Sequence, residues 1–245
     1  MRRLAAGGRI DRARPLPFSW NGQLLTGFVG DTLASALLGA GISVIGTSVS
    51  LGRPRGVMSA GLEEATAFAQ ITSRGVTEPL MRATSLPLYH GLAAEGGGRI
   101  TKGRLTDTAD STRFDKRFAH CDVLVVGAGP AGLAAALEAS RSGARVMLVE
   151  TDIEVGGALL RDNETIHGAP AGAWVTTAMA ALGAASDTRV LTATTASMQL
   201  DQNGMILAQR IGAHLAAHER RSLREQRLWH VRARCIVLAT GALER

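Results

Sequence analysis

The sequence of 245 residues predicts an α/β protein, in which a small α+β domain precedes a larger domain built on a parallel sheet. Two observations define the larger domain. The apolar run Val123–Val126 leads into a glycine-rich turn and a helical pattern, and a second strand is expected at 144–150. Continuous β-branched runs of this kind are typical of parallel strands covered on both faces. A third observation defines the smaller domain, because a strand–strand–helix pattern lies at 16–40.

The glycine-rich turn has the spacing of a dinucleotide-binding motif. Gly127 permits a tight turn, Gly129 lets the backbone approach a pyrophosphate, and Gly132 lets the helix pack on the strand. The helix N-terminus then offers unpaired N–H groups and the positive end of its dipole. Glu150 follows Gly132 by 18 residues, where a carboxylate can accept hydrogen bonds from an adenosine ribose and disfavours a 2′-phosphate. The sequence therefore predicts a Rossmann-like, FAD/NAD(P)-binding domain.

Later segments are expected to complete this domain. After the second strand we expect a glycine pair at Gly156-Gly157, a helix at 173–182 and a strand at 189–196. A β-excursion is expected at 197–234, with a turn at Asn203-Gly204. The last expected strand begins at Cys235 and ends in the small-residue turn Thr240-Gly241. The basic residues at 220–234 are interpreted as a solvated hairpin or loop surface.

The smaller domain is predicted from turn and cap residues. Asn21-Gly22 accepts the positive φ angles of a type I′ turn, which indicates a hairpin. Asp31 or Thr32 can cap the helix that follows, and Gly41 is suited to end it.

The outline of this smaller domain resembles a plant-type [2Fe–2S] ferredoxin without its iron ligands. Ser59, Glu64 and Ala67 stand where such a loop would supply cysteines. Cluster ligation by cysteine thiolates is therefore excluded, and we expect no iron–sulfur cluster. The domain is interpreted as a structural or docking element.

Composition narrows the classes of partner. Hydrophobic residues make up 46% and aromatic residues 4% of the chain, which predicts ordered domains with aliphatic cores. The net charge of +6 is carried by dispersed arginines without aromatic interleaving, so no nucleic acid partner is expected. No apolar run reaches the length of a membrane span, and the N-terminus lacks a signal-like apolar core. We expect a cytoplasmic protein without a membrane partner.

No catalytic or metal-binding constellation is evident. His214 and His218 have i, i+4 spacing, but no third ligand accompanies them. Cys121 and Cys235 do not form a CxxC pair and are expected to be small buried hydrophobes. No Ser-His-Asp set or paired carboxylates can be argued from spacing, so we expect a cofactor site without catalytic residues.

The chain resembles the N-terminal part of the alpha subunit of heterotetrameric sarcosine oxidase. The resemblance rests on five segments that span most of 10–245: Gly30–Leu38, Arg53–Glu64, His120–Leu133, Arg227–Arg234 and Val237–Arg245. The cysteine-free loop that begins with Arg53-Pro54-Arg55 is the most specific of them. Cyanide synthase and opine oxidase subunits look similar but usually keep the cluster cysteines.

This resemblance implies an oxidoreductase subunit that holds NAD, with FAD and FMN chemistry on or against the beta subunit. In the family, sarcosine is oxidatively demethylated to glycine, oxygen becomes hydrogen peroxide, and tetrahydrofolate collects the one-carbon unit. The implied partners are beta, gamma and delta subunits, and this chain would be a cofactor-holding scaffold. The alternatives are a fragment of an FAD-dependent pyridine nucleotide-disulfide-type oxidoreductase, an opine oxidase-like or cyanide synthase-like subunit, and a docking module whose site is empty.

The resemblance also assigns the cofactor-binding residues. They are Gly127, Gly129, Ala131 and Gly132 at the pyrophosphate; Glu150, Thr151 and Asp152 near the adenosine ribose; Gly157 and Ala158 close to the phosphates; Ala196 near the adenine; and Thr240 and Gly241 at the second turn. None is a proton-transfer residue.

The expected domain boundaries follow from the same reasoning. A ferredoxin-like domain is expected at 10–90, a linker at 91–118 and the dinucleotide-binding domain at 119–245. The linker looks shorter than the family's. The last domain ends where the family continues, so we expect a truncated subunit or a fragment.

Overall fold

A computed structural model describes residues 3–73, 76–97, 113–160, 165–166, 168–212, 214–215, 219 and 224–242. These residues form two compact units. The first comprises the described residues up to 97 together with those between 214 and 219, and the second comprises the described residues of 113–212 and 224–242.

The first unit is built on a five-stranded sheet. Its described elements are β1 (Asp11–Trp20), β2 (Gln23–Val29), α1 (Leu33–Gly39), β3 (Gly46–Thr47), β4 (Pro54–Arg55), β5 (Phe68–Ser73), β6 (Val76–Arg82) and β7 (Ala93–Glu95). The strand order in the sheet is β2-β1-β7-β5-β6, and β3 pairs with β4 separately. Strands β1 and β7 run parallel, whereas the other neighbouring strands run antiparallel.

The turn and the helix caps predicted near the start of the first unit are confirmed. Asn21 and Gly22 have φ angles of 49° and 79°, as a type I′ turn between β1 and β2 requires. Thr32 caps α1, because its hydroxyl accepts a hydrogen bond from the N–H of Ser35 at 3.2 Å. Gly41 follows the helix with a φ of 89°.

The second unit is built on a six-stranded sheet with helices. Its described elements are β8 (Phe114–Val126), α2 (Pro130–Arg141), β9 (Val146–Val149), β10 (Thr165–Ile166), β11 (Ala169–Pro170), α3 (Ala171–Ala184), β12 (Thr188–Leu191), β13 (Thr194–Leu200), β14 (Gly204–Arg210) and β15 (Gln226–Leu238). The order is β12-β9-β8-β15-β14-β13, with the first four strands parallel and the last two antiparallel to their neighbours.

Both faces of the parallel part of this sheet are buried. Leu124 and Val125 are adjacent in β8 and fully buried, yet they belong to different core clusters. Val125 packs with residues of α2 and α3, including Leu133 and Leu182, whereas Leu124 packs with residues such as Trp229 on the opposite face. The continuous apolar run at the end of β8 is thus explained by burial on both sides.

Three expectations about this chain's organisation are corrected. The stretch 91–118 was expected to be a linker, but it contains β7, which lies in the middle of the first sheet. Strand β8 of the second sheet also begins within this stretch, at Phe114. Residues 98–112 lie outside the described chain. The single strand expected at 189–196 is two strands, β12 and β13, because Ala193 has a φ of 48° that interrupts the extended backbone. Cys235 is exposed rather than buried, whereas Cys121 is buried.

Of the two alternatives for the basic stretch at 220–234, a solvated hairpin or a loop surface, the described residues fit the hairpin, because β15 pairs antiparallel with β14. Its described residues, from 224 onward, lead into and form the first part of β15. Within β15, Arg227 is half-buried and donates two hydrogen bonds to the carboxylate of Asp115, at 2.7 and 2.8 Å. Residues 220–223 lie outside the described chain.

The described residues offer no candidate for a membrane-spanning helix or for a metal site. No described helix is both long enough and apolar enough to cross a bilayer. No group of three or more His, Cys, Asp or Glu side chains in the described chain could hold a metal ion. His218, one of the two histidines singled out by spacing, lies outside the described residues.

Candidate functional site

The glycine turn lies between the carboxyl ends of two neighbouring strands. The N–H of Gly127 donates to the carbonyl oxygen of Val149 at the end of β9, at 2.8 Å. On the other side, the N–H of Ala239 donates to the carbonyl oxygen of Val126 at 2.8 Å as β15 ends. Crevices at the carboxyl ends of parallel strands are the usual ligand sites of such sheets.

Two of the three motif glycines are required by the protein's own packing. Gly127 has a φ of 100°, and a Cβ there would clash with the carbonyl oxygen of Ala239. A Cβ on Gly132 would clash with the carbonyl oxygen of Gly127. These glycines allow β8, the turn, α2 and the end of β15 to come together.

Gly129 has a different reason to be glycine. Its φ is −71°, which any residue can adopt, and the nearest atom to a Cβ built there is the Cα of Gly157, 4.0 Å away. The protein itself would therefore tolerate a side chain at this position. The space that a Cβ would occupy is open, which fits the close approach of a phosphate group to the backbone.

The first turn of α2 presents N–H donors without a competing acid. The helix begins after Gly129, which makes no side-chain cap, and Pro130 occupies its first turn. The first intrahelical hydrogen bond runs from the N–H of Leu133 to the carbonyl oxygen of Gly129 at 2.9 Å, so the N–H groups of Ala131 and Gly132 have no partner within the helix. Its first turn contains no acidic residue. This end of α2 is suited to an anion.

Glu150 lies at the end of β9, beside the turn. Its Oε2 accepts a hydrogen bond from the N–H of Ala128 at 2.7 Å, and its Oε1 accepts one from the N–H of Asp152 at 3.0 Å. The carboxylate therefore contacts the motif as well as its own loop. A carboxylate has about four acceptor positions, so two remain for ribose hydroxyls.

The loop after β9 packs directly on the glycine turn. The N–H of Gly156 donates to the carbonyl oxygen of Ala128 at 2.8 Å. Gly157 has a φ of 54°, and a Cβ on it would lie 2.8 Å from the Cα of Gly129. Ala158 follows in a short 3-10 turn and is exposed. The loop therefore forms one wall of the open space beside Gly129.

The structure brings most of the expected site residues to this edge, at different distances from the turn. Thr240 lies next to Gly127, because a Cβ built on Gly127 would be 3.3 Å from the Cα of Thr240. Asp152 is exposed, and its carbonyl oxygen accepts from the N–H of Ala193 at 2.8 Å. Thr151 is partly buried in the same turn.

Ala196 and Gly241 are less directly placed. Ala196 lies in β13 opposite Leu207 and packs against the core cluster on the face of Leu124. Its strand is joined to the site through Thr194, whose N–H donates to the carbonyl oxygen of Glu150 at 2.8 Å. Gly241 is exposed, with a φ of 73° and no heavy atom within 4 Å of a Cβ built on it.

Sequence reasoning missed two contributors to the site, Ala128 and Ala239, and gave Gly156 only as one of a glycine pair. Each acts through its backbone, by the contacts described above. The residue type at such positions carries little information, because the N–H and carbonyl groups are common to nearly all residues.

In the first unit, a buried carboxylate organises the loop that in a ferredoxin would carry cysteines. Glu64 is 1% exposed. Its Oε2 accepts from the N–H groups of Met58 and Ser59 at 2.7 and 3.1 Å. Its Oε1 accepts from the N–H groups of Thr66 and Ala67 at 2.6 and 2.9 Å, and from the Thr66 hydroxyl at 3.0 Å. Burial opposes ionisation of this group, but the four backbone N–H donors outweigh it and lower the pKa of Glu64 to about 2.

Comparison with known families identifies the class of each unit. The family model for the 2Fe-2S iron-sulfur cluster binding domain matches residues 13–97, and the model for FAD dependent oxidoreductases matches residues 122–205. The chain therefore combines a domain of the 2Fe-2S ferredoxin type with an α/β domain of the FAD-dependent oxidoreductase type.

Along nearly its whole length the chain is homologous to an N-terminal portion of sarcosine oxidase subunit alpha. It is 43% identical over 242 residues to that subunit from Corynebacterium sp. (strain P-1), covering 97% of this chain and 25% of the relative. It is 36% identical over 292 aligned positions to that from Rhizobium meliloti (strain 1021), covering 99% of this chain and 29% of the relative. The chain thus spans about a quarter of the length of these relatives.

A solved structure supports the fold. The crystal structure of L-proline dehydrogenase from P. horikoshii matches 96% of this chain and 42% of its own, with a TM-score of 0.68 and 22% sequence identity. The likeness shows that the two chains share a fold.

Proposed function

We propose that the edge of the second unit around the glycine turn binds the ADP half of a dinucleotide. The observation that carries this proposal is the open position at Gly129, beside N–H groups of Ala131 and Gly132 that have no partner within the helix. Protein packing does not require glycine at position 129, whereas a phosphate lying against the backbone would. The positive end of α2 would stabilise that phosphate without any basic side chain.

The remaining site residues have roles that follow from their positions. Glu150 has two acceptor positions left for the ribose hydroxyls, which favours a ligand without a 2′-phosphate. Gly157 and Ala158 would line the phosphates, and Thr240 would lie at the second turn. A bound dinucleotide would supply the redox chemistry, and these residues would bind and orient it.

Resemblance to the sarcosine oxidase alpha subunit favours NAD as the dinucleotide. One observation favours FAD instead, because the family model that matches 122–205 is that of FAD-dependent oxidoreductases. The two ligands share the ADP half, so the residues around Gly129 serve both. The absorption spectrum of the purified protein distinguishes them, since FAD absorbs in the visible range and NAD does not. Mass identification of whatever heat releases completes the assignment.

At the level of the whole protein, we propose that the chain is the cofactor-holding part of the alpha subunit in a sarcosine oxidase-type complex. The homology over 97% of the chain supports this proposal. The complex would demethylate sarcosine to glycine with formation of hydrogen peroxide, and it would contain beta, gamma and delta subunits. No described residue forms an evident acid–base pair at the glycine turn, so we expect peroxide from sarcosine only after the partner subunits are added.

We propose a structural or docking role for the first domain, whose sheet includes β7, ahead of a dinucleotide-binding domain that begins with β8. The chain has no cysteine before Cys121, and Glu64 occupies the centre of the loop that would hold a cluster. Four backbone N–H groups of this loop donate to the Glu64 carboxylate, so each of them already has an acceptor.

Alanine substitutions at two glycines of the motif test the proposed binding site. Gly129→Ala places a methyl group in open space, so we expect unchanged stability and at least tenfold weaker binding of ADP, NAD or FAD. Gly132→Ala drives a methyl group into the carbonyl oxygen of Gly127, so we expect loss of stability. Gly172→Ala in α3 is the matched control, because a Cβ there meets no heavy atom within 4 Å.

Isothermal titration calorimetry and thermal unfolding separate the outcomes. The proposal requires that Gly129→Ala lowers affinity without lowering the unfolding temperature, while Gly172→Ala changes neither affinity nor fold. If Gly129→Ala binds ADP as well as the unmodified chain does, no phosphate lies against this backbone and the proposal is wrong.

A further inference from the structure

We infer that Glu150 is a positioning residue for the glycine turn as well as an acceptor for ribose hydroxyls. This inference rests on the proposed function. What is new is a coupling between the two halves of the ADP site. The carboxylate expected to contact the ribose also positions the backbone expected to contact the phosphates.

The turn is held by three hydrogen bonds from the elements around it. The N–H of Gly127 donates to the carbonyl oxygen of Val149, and the carbonyl oxygen of Ala128 accepts from the N–H of Gly156, both at 2.8 Å. The third bond runs from the N–H of Ala128 to Oε2 of Glu150 at 2.7 Å, and its acceptor is a side chain. A hydrogen bond to an ionised acceptor at this distance is of the stronger kind.

Glu150 is itself held firmly enough to act as a support. Its N–H donates to the carbonyl oxygen of Leu191, and its carbonyl oxygen accepts from the N–H of Thr194, both at 2.8 Å. Its second carboxylate oxygen accepts from the N–H of Asp152 at 3.0 Å. The side chain therefore joins the turn after β8 to the turn after β9.

This arrangement couples ribose binding to the position of the glycine turn. Two acceptor positions of the carboxylate are used by the protein and two are left for a ligand. A ribose that binds the remaining positions further restrains the carboxylate, and through it the N–H of Ala128 and the turn that leads to Gly129. Coupling of this kind is reciprocal between the two parts of the ligand.

Glu150→Gln separates the two roles. The side chain keeps its shape, but one oxygen becomes an NH2 group that cannot accept a hydrogen bond. Either Ala128 or Asp152 then loses its acceptor. The affinity for a ligand without ribose hydroxyls should therefore fall only if Glu150 positions the turn.

The experiment compares ADP with 2′,3′-dideoxy-ADP by calorimetric titration of the full 245-residue chain. We expect Glu150→Gln to weaken ADP binding by about 10- to 100-fold, as for hydrogen bonds to a charged group, and to weaken dideoxy-ADP binding by at least about fivefold. Glu138→Gln is the matched control, because this residue lies on the exposed face of α2 and pairs with Arg141. We expect it to bind both ligands like the unmodified chain.

A second readout does not depend on a ligand. Glu150→Ala removes both acceptor oxygens and is titrated with the same two ligands. In its 15N NMR spectra, the amide of Ala128 should exchange with solvent faster than in the unmodified chain, while amides within α3 stay unchanged. If Glu150→Gln does not fold, Glu150→Asp takes its place, since it keeps the charge but is one methylene too short for the same contact with Ala128.

The outcomes distinguish this inference from the proposal on which it rests. If the unmodified chain binds neither ADP nor dideoxy-ADP, the proposed function is wrong. If it binds both, and Glu150→Ala weakens ADP alone while the amide of Ala128 exchanges at its original rate in that variant, Glu150 serves only the ribose and the positioning role is refuted.

Discussion

Removing the charge of Glu64 should destabilise the first domain by an amount that depends on pH. Glu64 is buried, and its pKa is lowered from 4.5 to about 2 in the folded chain, so its ionised form is favoured by folding. A difference of this size corresponds to about 3 kcal/mol at neutral pH. In Glu64→Gln an NH2 group would face two of the four backbone N–H donors, which leaves them without an acceptor.

The pH dependence has a defined sign. Because the folded pKa is below the unfolded one, the stabilisation by Glu64 is fully present above pH 4.5 and is lost as the pH falls toward 2. We therefore expect the unmodified chain to exceed Glu64→Gln in stability by about 3 kcal/mol at pH 7, and by about 1 kcal/mol at pH 3.

Hydrogen exchange measured by mass spectrometry is the suitable assay, because it reports the two units separately. Peptides from β5, at Phe68–Ser73, give the opening free energy of the first unit at each pH. Glu63→Gln is the matched control, since Glu63 is adjacent and exposed. The reasoning is refuted if Glu64→Gln and Glu63→Gln have the same opening free energy at pH 7, or if the deficit of Glu64→Gln does not shrink between pH 7 and pH 3.

Two further predictions concern the cysteines and the cluster. Burial, followed by the nearby charge of Asp122, raises the pKa of the Cys121 thiol to about 11, whereas Cys235 is exposed. A thiol reagent such as Ellman's should therefore modify one thiol in the native chain and two after denaturation; fast modification of both in the native chain would contradict this burial. Anaerobic reconstitution should give no stoichiometric iron and acid-labile sulfide, since the loop is centred on Glu64 and has no cysteine. Retention of one cluster per chain after desalting would show that this loop does bind iron.

Local patterns in the sequence were enough to predict the glycine turn at the centre of the proposed site. A buried strand followed at once by a motif of three glycines and a helix involves contacts between residues close in the chain, so its geometry follows from residue type and spacing. The same holds for the hairpin at Asn21-Gly22, whose positive φ angles few other dipeptides adopt. The position of Glu150 directly after β9 is likewise a matter of spacing.

Other features could not be predicted because they depend on residues far apart in the chain. Strand β7 is three residues long and has no periodicity of its own; it is a strand because β1 and β5 lie on either side of it. The break at Ala193 was missed because its residue type does not indicate a positive φ. The exposure of Cys235 was missed for a related reason, since the apolar run that contains it does not show which of its residues the rest of the molecule covers.

The sequence by itself determined the fold class, the glycine turn and the absence of cluster cysteines, since each of these is a property of residue type and spacing. Only the tertiary structure decided what the two acidic groups contact. Glu150 binds the N–H of Ala128, 22 residues away, and Glu64 accepts four N–H groups from both sides of its loop. The donors are backbone groups that nearly every residue carries, so residue type does not reveal which of them will converge on a carboxylate.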